Sequence, residues 1–473
     1  MGLGRFGGGS DVAEFAANAG AKVIVTDLAE PSQLSDSVKL LKSHCPDVDI
    51  EFHLGSHDPA DFERADIIVA NPAVAPDNEF LEIARRCEKP ITSQIGIFFE
   101  LCTAPIIGIT GANGKSTTAA LTAHLLKNTH NEKVIASEAK QSQPTQYAIR
   151  NTKYEKVWLS GNIGNQPLLT YLESICPDDL VVLELSSFQL EQLAQLKKAP
   201  KVALLTNLSP NHLDRHGTFA NYCAAKENIF RLQILSEETP AVSIFNAEDK
   251  IAAEWFEKYK SDTGRICIKF STDDVSGKIR DAFTLPGRAN LSNLAAALAV
   301  AQCFGLEDGP AIKALPKFKP LPHRLEFVEQ INGVRWYNDS IATTPQSAIA
   351  ALEAFEQPKI IIAGGYDKNL PFDELGRKIA QNAKAAVLLG QTAHKIASAI
   401  RTTQYTLRNT RNEIRDTRME LVDSLSEAVQ LAHRLAVSGD VVLLSPACAS
   451  YDMFDNFQQR GREFVRLVKK INC

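Results

Sequence analysis

The sequence predicts an α/β fold built on parallel sheets. Two observations carry that reading. Short runs, nearly continuous in apolar residues, recur along the chain: AKVIVTD (21–27), ADIIVAN (65–71), PIIGIT (105–110), LVVLELSS (180–187), KVALLTNL (201–208), AVSIFNA (241–247), KIIIAGG (359–365), AAVLLG (385–390) and VVLLSPA (441–447). Strands buried on both faces, as in a parallel sheet covered by helices, have this pattern. Helical stretches separate the runs, and several runs end in Gly, Asn, Asp or Ser, as strand-to-helix loops do at a ligand-binding edge.

Composition narrows the class. The chain has 473 residues, enough for two to four domains at ~100–200 residues each. Lys and Arg number 51 against 56 Asp and Glu, a formal net charge of -5. That balance argues against non-specific binding to nucleic acid or to an anionic membrane. With 44% hydrophobic and 23% charged residues, a disordered chain is excluded. No apolar run approaches the ~18–20 residues of a membrane span, so no membrane insertion is expected. The start, MGLGRFGGGSD, lacks the apolar core of an export signal, and Phe6 breaks the myristoylation pattern. Nine cysteines occur without a CxxC pair or metal-ligand spacing, as expected of reduced thiols in the cytoplasm.

Taken in chain order, residues 2–7 read GLGRFG, a G-x-G-x-x-G, and Asp27 follows at the end of the first apolar run. In a dinucleotide fold the glycines approach a pyrophosphate and the acid meets a ribose. Here no strand precedes Gly2, so the expectation is that the true start lies upstream. Nothing else points to hydride chemistry, and a nucleotide-like ligand without redox use is the better reading.

Boundaries fall near Thr103–Pro105, before a new nucleotide motif, and in LPKFKPLPHR (315–324), where prolines interrupt regular structure. Three domains result: 1–103, 104–319 and 320–473. Two polar segments, 128–156 and 401–418, lack useful periodicity and share a fragment, QYAIRNTK and QYTLRNTR, identical at five of eight positions. They read as surface insertions without a catalytic role.

The strongest motif is GITGANGKST (108–117), between a buried strand and the helical stretch TTAALTAHLLK. Backbone N–H groups of Gly111, Asn113 and Gly114 can curl around a polyphosphate at a helix N-terminus. Lys115 can reach the β/γ-phosphates, and the hydroxyl of Ser116 or Thr117 can ligate Mg2+. The loop is a variant, because Ile109 occupies the position of the first motif glycine. Glu184, ending an apolar strand, suits the acidic member of such a site. TNLSPNHLDRHG (206–217) crowds Asn211, His212, Asp214, Arg215 and His216 into one loop after a strand, a density that favours a ligand or metal site.

These motifs are similar to those of the Mur ligase family. GITGANGKST, SGNIGNQPL (160–168), LELSSFQLE (183–191), NHLDRHG (211–217), PGRANLSNLAAAL (286–298), LPHRLEFV (321–328), NDSIATTP (338–345), GGYDK (364–368) and SPACASYDMFDNFQQRG (445–461) occur in the family's order. The resemblance covers nearly the whole chain outside the two polar segments. It implies a Rossmann-like N-terminal domain for UDP, a P-loop ATPase domain and a Rossmann-like C-terminal domain. The implied reaction adds D-glutamate to UDP-N-acetylmuramoyl-L-alanine with ATP and Mg2+, in cytoplasmic peptidoglycan synthesis, by a monomer.

Residue roles carry over on that resemblance. Ser116, Glu184, His212 and Lys226 match the metal site, with Lys226 as the family's CO2-derived carbamate. Asn290 and Asn293 match contacts near the adenine, and Arg324 and Asp339 match contacts to ATP. Gly4, Arg5, Asp27 and Asn162 match the sugar-nucleotide site. Thr343, Lys368, Ser450 and Phe457 match the D-glutamate pocket. Two departures stand out: Ile341 replaces a common lysine, and Ala289 replaces a histidine before Asn290. The rival readings are a family member adding another amino acid, a P-loop NTPase without ligation, and a nucleotide-binding protein without turnover.

Overall fold

The structure, a computed structural model, describes residues 1–4, 7–129, 154–161, 168–409 and 417–472. The chain forms two compact units. One comprises Met1–Ile279 with Asn293–Leu315, the other Arg280–Ser292 with Pro316–Cys473.

In the first unit, strands β1 (Ile24–Asp27), β2 (Glu51–Leu54), β3 (Ile68–Val69) and β4 (Ile91–Thr92) make two small parallel pairs, β1 with β2 and β3 with β4. Residues 1–2 run between the pairs. The Gly2 N–H donates to the Thr26 carbonyl at 2.8 Å, and the Asn71 N–H donates to the Met1 carbonyl at 3.0 Å. The Met1 amine donates to the Val69 carbonyl at 3.0 Å. These three bonds link the two pairs through residues 1 and 2.

The larger sheet of this unit contains β5 (Ile106–Thr110), β6 (Val157–Gly161), β7 (Leu180–Glu184), β8 (Val202–Leu205), β9 (Ala241–Asn246) and β10 (Arg265–Phe270). Every pairing is parallel, in the order β10-β9-β8-β5-β7-β6. β5, β7, β8 and β9 are buried along their whole length, which is why each reads as an unbroken apolar run. Their side chains pack with Phe98, Leu190, Phe230 and Trp255 in one core. The consequence for function is positional: β8, β5 and β7 are adjacent, so their carboxyl ends open together, as in other parallel α/β sheets.

Two regions of this unit are joined by one carboxylate. Asp11, buried on the helix Gly8–Asn18, accepts from the N–H groups of Leu168, Leu169 and Thr170 at 3.0, 2.9 and 3.1 Å. It also accepts from Thr170 Oγ1 at 2.7 Å and Gln94 Nε2 at 2.6 Å. Hydrogen bonds to a charged acceptor are the strong class, about 1.5–3 kcal/mol each when buried.

The second unit holds β11 (Glu326–Ile331), β12 (Val334–Asn338), β13 (Lys359–Ala363), β14 (Ala383–Leu388), β15 (Arg418–Leu421) and β16 (Val441–Leu444), ordered β11-β12-β16-β13-β14-β15. The β11–β12 hairpin is antiparallel and the rest is parallel. β12, β16 and β13 are adjacent, so residues 338–340, 445–450 and 364–368 emerge along one edge. The strip 280–292 packs in this unit, where a Cβ on Gly287 would lie 2.7 Å from Ala354 Cβ.

The two polar segments need correction at their ends. Residues 401–409 form the last turns of the helix Ala393–Asn409, so they are not without regular structure, and Arg418 begins β15. The helix hides its period because it buries a narrow stripe, Ile396, Ala397, Ile400 and Gln404. Residues 128–129 likewise end the helix Lys115–Thr129. Residues 130–153 and 410–416 lie outside the described residues.

Candidate active site

The phosphate loop follows β5 directly. Gly111 and Gly114 have φ of 147° and 82°, values that favour glycine. Both are also crowded: a Cβ on Gly111 would sit 2.0 Å from Thr206 Oγ1, and one on Gly114 would sit 2.1 Å from Asn293 Oδ1. The loop is braced from β8. The Ala112 N–H donates to the Asn207 carbonyl at 2.8 Å, the Asn113 N–H donates to Asn207 Oδ1 at 3.0 Å, and Thr206 Oγ1 donates to the Asn113 carbonyl at 2.6 Å. Lys115 donates to the Ala112 carbonyl at 3.0 Å, folded back over its own loop. Thr117 Oγ1 is buried with no hydrogen-bond partner among the described residues.

Glu184 is buried at the end of β7, and Lys226 is buried on the helix Phe219–Arg231 with 2% exposure. Lys226 Nζ donates to Thr110 Oγ1 at 3.2 Å and lies 4.9 Å from the Tyr222 ring centre. Burial holds its amine well below the ordinary lysine range; the charge of Lys115 lowers it further, and Glu184 opposes both. His212 begins the turn Leu213–His216 with a left-handed backbone, φ 51°. Its side chain is exposed, yet desolvation by its neighbours lowers its pKa; Lys115 and Lys226 add to that, while Asp214 opposes. Lys115, Glu184, His212 and Lys226, from four separate stretches of sequence, therefore share one electrostatic neighbourhood.

This donor set fits a hard divalent ion only in part by itself. Among the described residues no group of three His, Cys, Asp or Glu side chains could hold a metal. Mg2+ is usually bound through one or two carboxylates together with substrate phosphates, so a hydroxyl, a carboxylate and a neutral imidazole beside a phosphate loop are compatible with it. Asn293 faces this loop, accepting from Thr118 Oγ1 at 3.3 Å. Asn290 belongs to the second unit and donates to the Pro286 carbonyl at 2.8 Å.

At the N-terminal glycines, Asp27 receives the N–H of Gly4 at 3.0 Å and of Ala29 at 2.8 Å. Its carboxylate shapes the turn. Arg5 and Asn162 lie outside the described residues.

In the second unit, Asp339 is buried and accepts from Ser445 Oγ at 2.8 Å and the Leu325 N–H at 3.1 Å. Burial raises its pKa to about 7, against the opposing pull of Ser445 and the Arg324 charge. The turn carrying Lys368 packs on the loop carrying Ser450: a Cβ on Gly365 would stand 2.3 Å from the Ala449 carbonyl oxygen, and the Tyr366 N–H donates to that carbonyl at 2.9 Å. Lys368 is exposed, Ser450 is buried, and Thr343 and Phe457 are half-buried. The Phe457 ring meets His323 edge-on at 6.1 Å.

Sequence reasoning missed Arg460. It is 3% exposed and donates to Ser340 Oγ, the Ser340 carbonyl, and the carbonyls of Cys448 and Ala449 at 3.0, 2.8, 3.1 and 3.3 Å. It thereby ties the loop of Asp339 to that of Ser450. The readable signal was an arginine on the otherwise apolar face that carries Phe464 and Val468.

Comparison with known proteins adds to this geometry. The Mur ligase middle domain model matches residues 109–301, and the Mur ligase, glutamate ligase domain model matches 323–448. A UDP-N-acetylmuramoylalanine--D-glutamate ligase of Roseiflexus sp. (strain RS-1) is 38% identical, covering 99% of this chain and 97% of the relative. The enzyme of that name from Acetivibrio thermocellus is 37% identical over 96% of this chain and 92% of its own. Among solved structures, a UDP-N-acetylmuramate-alanine ligase from Thermotoga maritima superposes with a TM-score of 0.58 at 18% identity, covering 99% and 98% of the two chains; that likeness speaks for the fold.

Proposed function

The chain belongs to the Mur ligase family, and from that premise we propose that it joins D-glutamate to UDP-N-acetylmuramoyl-L-alanine with conversion of ATP to ADP and phosphate. The reaction belongs to peptidoglycan synthesis and takes place in the cytoplasm, with the enzyme acting as a monomer. The names of the relatives over nearly the full chain support the substrates. The observation that carries the chemistry is the grouping of Lys115, Glu184, His212 and Lys226 at the carboxyl ends of β5, β7 and β8.

A carboxylate is a poor acyl donor. Its oxygen attacks the γ-phosphorus, the bond to the β-phosphate oxygen breaks, and ADP leaves an acyl phosphate. The D-glutamate amine then attacks the acyl carbon, loses a proton, and expels phosphate. Two anions must meet in the first step, so the main need is for fixed positive charge and aimed N–H donors. The N–H groups come from the 111–117 loop other than Ala112 and Asn113, whose N–H groups Asn207 holds, and Lys115, released from the Ala112 carbonyl, supplies the charge. Mg2+, when bound, would spread the phosphate charge further, held by Ser116, Glu184, His212 and Lys226.

Lys226 needs modification for that role, because an ammonium repels Mg2+. Burial that favours the neutral amine makes Lys226 a nucleophile toward CO2, and the resulting carbamate is an anion with two oxygens. Gly4, Arg5, Asp27 and Asn162 are assigned to the sugar nucleotide, and Asn290, Asn293, Arg324 and Asp339 to ATP. Thr343, Lys368, Ser450 and Phe457 are assigned to D-glutamate. The corresponding domains are 1–103, 104–319 and 320–473.

The test is phosphate release from ATP in the presence of UDP-N-acetylmuramoyl-L-alanine and a panel of amino acids. Release should require both the acceptor and D-glutamate. Release indifferent to D-glutamate would mean a simple NTPase or a ligase for another amino acid.

A further inference from the structure

Arg215 lies outside the assignments above, yet it ties the turn that carries His212 to the loop that packs on the N-terminal glycine turn. Its Nη1 donates to the Ala73 carbonyl at 3.1 Å and its Nη2 donates to the Val74 carbonyl at 2.8 Å. Both carbonyls belong to the loop that follows β3. That loop leans on the N-terminal glycine turn: Asn71 Nδ2 donates to the Gly2 carbonyl at 3.2 Å, and a Cβ on Gly2 would strike Asn71 Cβ at 2.7 Å. On its other side Arg215 lies over the Phe188 ring at 5.4 Å. Phe188 stacks on His216 at 5.4 Å and meets His212 edge-on at 5.1 Å. His216 is fixed in turn by Ser187 Oγ at 3.0 Å and Glu191 at 3.3 Å.

The path is therefore continuous. It runs from the Gly2–Gly4 turn through Asn71 and the 73–74 carbonyls to Arg215, Phe188 and His212. Arg215 sits three residues after His212 in one short turn, whose chain is held by a left-handed residue at its start. A shift of the 71–74 loop must move the guanidinium, since two carbonyls hold it at once. Moving the guanidinium must move the Phe188–His212 contact or break the stack. The carbonyl-pair geometry suits a planar fork of donors, which lysine cannot reproduce.

We propose that Arg215 is a positioning residue that couples occupancy of the sugar-nucleotide site to the placement of His212 at the ATP site. The inference rests on the reading of the N-terminal glycine turn as the sugar-nucleotide site. It makes binding at the two sites cooperative, and reciprocally so, because coupling free energies are symmetric.

Binding of UDP-N-acetylmuramoyl-L-alanine to the full chain, measured by titration calorimetry with and without a non-hydrolysable ATP analogue and Mg2+, tests this. In the unaltered protein the analogue should tighten sugar-nucleotide binding by at least ~5-fold, the low end of ordinary couplings. In Arg215→Gln that factor should fall below about twofold, while the analogue alone binds within about threefold of its usual affinity. A loss of structure alone would weaken both ligands and leave their ratio in place. If Arg215→Gln fails to fold, Arg215→Lys takes its place, and its coupling factor should be less than half that of the unaltered protein. Independent binding in the unaltered protein, or a coupling factor unchanged in the folded variant, overturns the proposal. Failure of the unaltered protein to bind the sugar nucleotide at all overturns the functional reading instead, and this inference with it.

Discussion

Replacing Lys226 by methionine should abolish ligation and at the same time stabilise the protein. The side chain is 2% exposed, with its amine among Thr110, Tyr222 and the Lys115 charge. Taking an ion out of water costs several kcal/mol even after relaxation, or the group gives up its proton at a comparable cost. Methionine has a similar volume and no charge to desolvate. The change forfeits one hydrogen bond, to Thr110 Oγ1, worth about 1 kcal/mol. Thr110 keeps its other bond, donating to the Leu185 carbonyl at 2.7 Å. The net expectation is a gain of about 1–3 kcal/mol at neutral pH, read as a rise of ~2–5 °C in the unfolding midpoint for a unit of this size. The sign with pH follows from linkage. The folded-state pKa lies below the ordinary 10.5, so between the two values the unfolded chain binds more protons and the stability of the unaltered protein rises with pH. The gap between variant and unaltered protein should therefore be widest at lower pH and shrink as pH approaches 10.5. Thermal and urea unfolding from pH 6 to 10.5, in CO2-free buffer, reads this directly. A destabilised variant, or a gap that does not change with pH, would refute the reasoning.

Three further outcomes follow, two in the first unit and one in the second. Lys115→Ala should reduce ligation by about 10²–10³-fold or more with an unfolding midpoint close to that of the unaltered protein, as measured by phosphate release and thermal scanning. Lys226→Ala should be inactive but partly rescued by short-chain carboxylic acids, which return two anionic oxygens to the vacated space; absence of rescue in a folded variant counts against the carbamate. Asp339, raised to about 7 from an ordinary 3.8, binds its proton more tightly folded than unfolded. Its presence makes stability fall as pH rises from 3.8 through about 7, so Asp339→Asn should be more stable than the unaltered protein at pH 8 and not at pH 4, by chemical denaturation.

What was legible in the sequence was what is local. The phosphate loop, Glu184 and the 206–217 loop each stand at the end of an apolar run, and adjacent strands then bring them to one edge without further information. Lys226 was not legible from its residues. NYCAAKENIF looks like any helix with a solvated lysine, and the covering of the amine depends on a residue as distant in sequence as Thr110, 116 residues away. Only the family resemblance singled it out. Arg460 escaped for a related reason, and so did the contacts of Arg215, which the 206–217 cluster had already singled out: main-chain carbonyls carry no residue identity. The helix Ala393–Asn409 was misread because polar residues flank a single buried stripe that includes Gln404, satisfied by the Thr417 carbonyl at 3.2 Å. β6 went unread because its run is short and borders a polar stretch, as edge strands often do.

The carboxylate of Asp11 also sets a clock. Its acceptor sites are filled by N–H groups 157–159 residues further along the chain. At roughly 5–20 residues per second, synthesis delivers that segment some 8–30 s after Asp11 has left the ribosome. Through that interval the helix Gly8–Asn18 has to hold its carboxylate in water, with Gln94 the first of its partners to arrive. The bonds that tie the two regions of the first unit through Asp11 thus form late, only once residues 168–170 have been made.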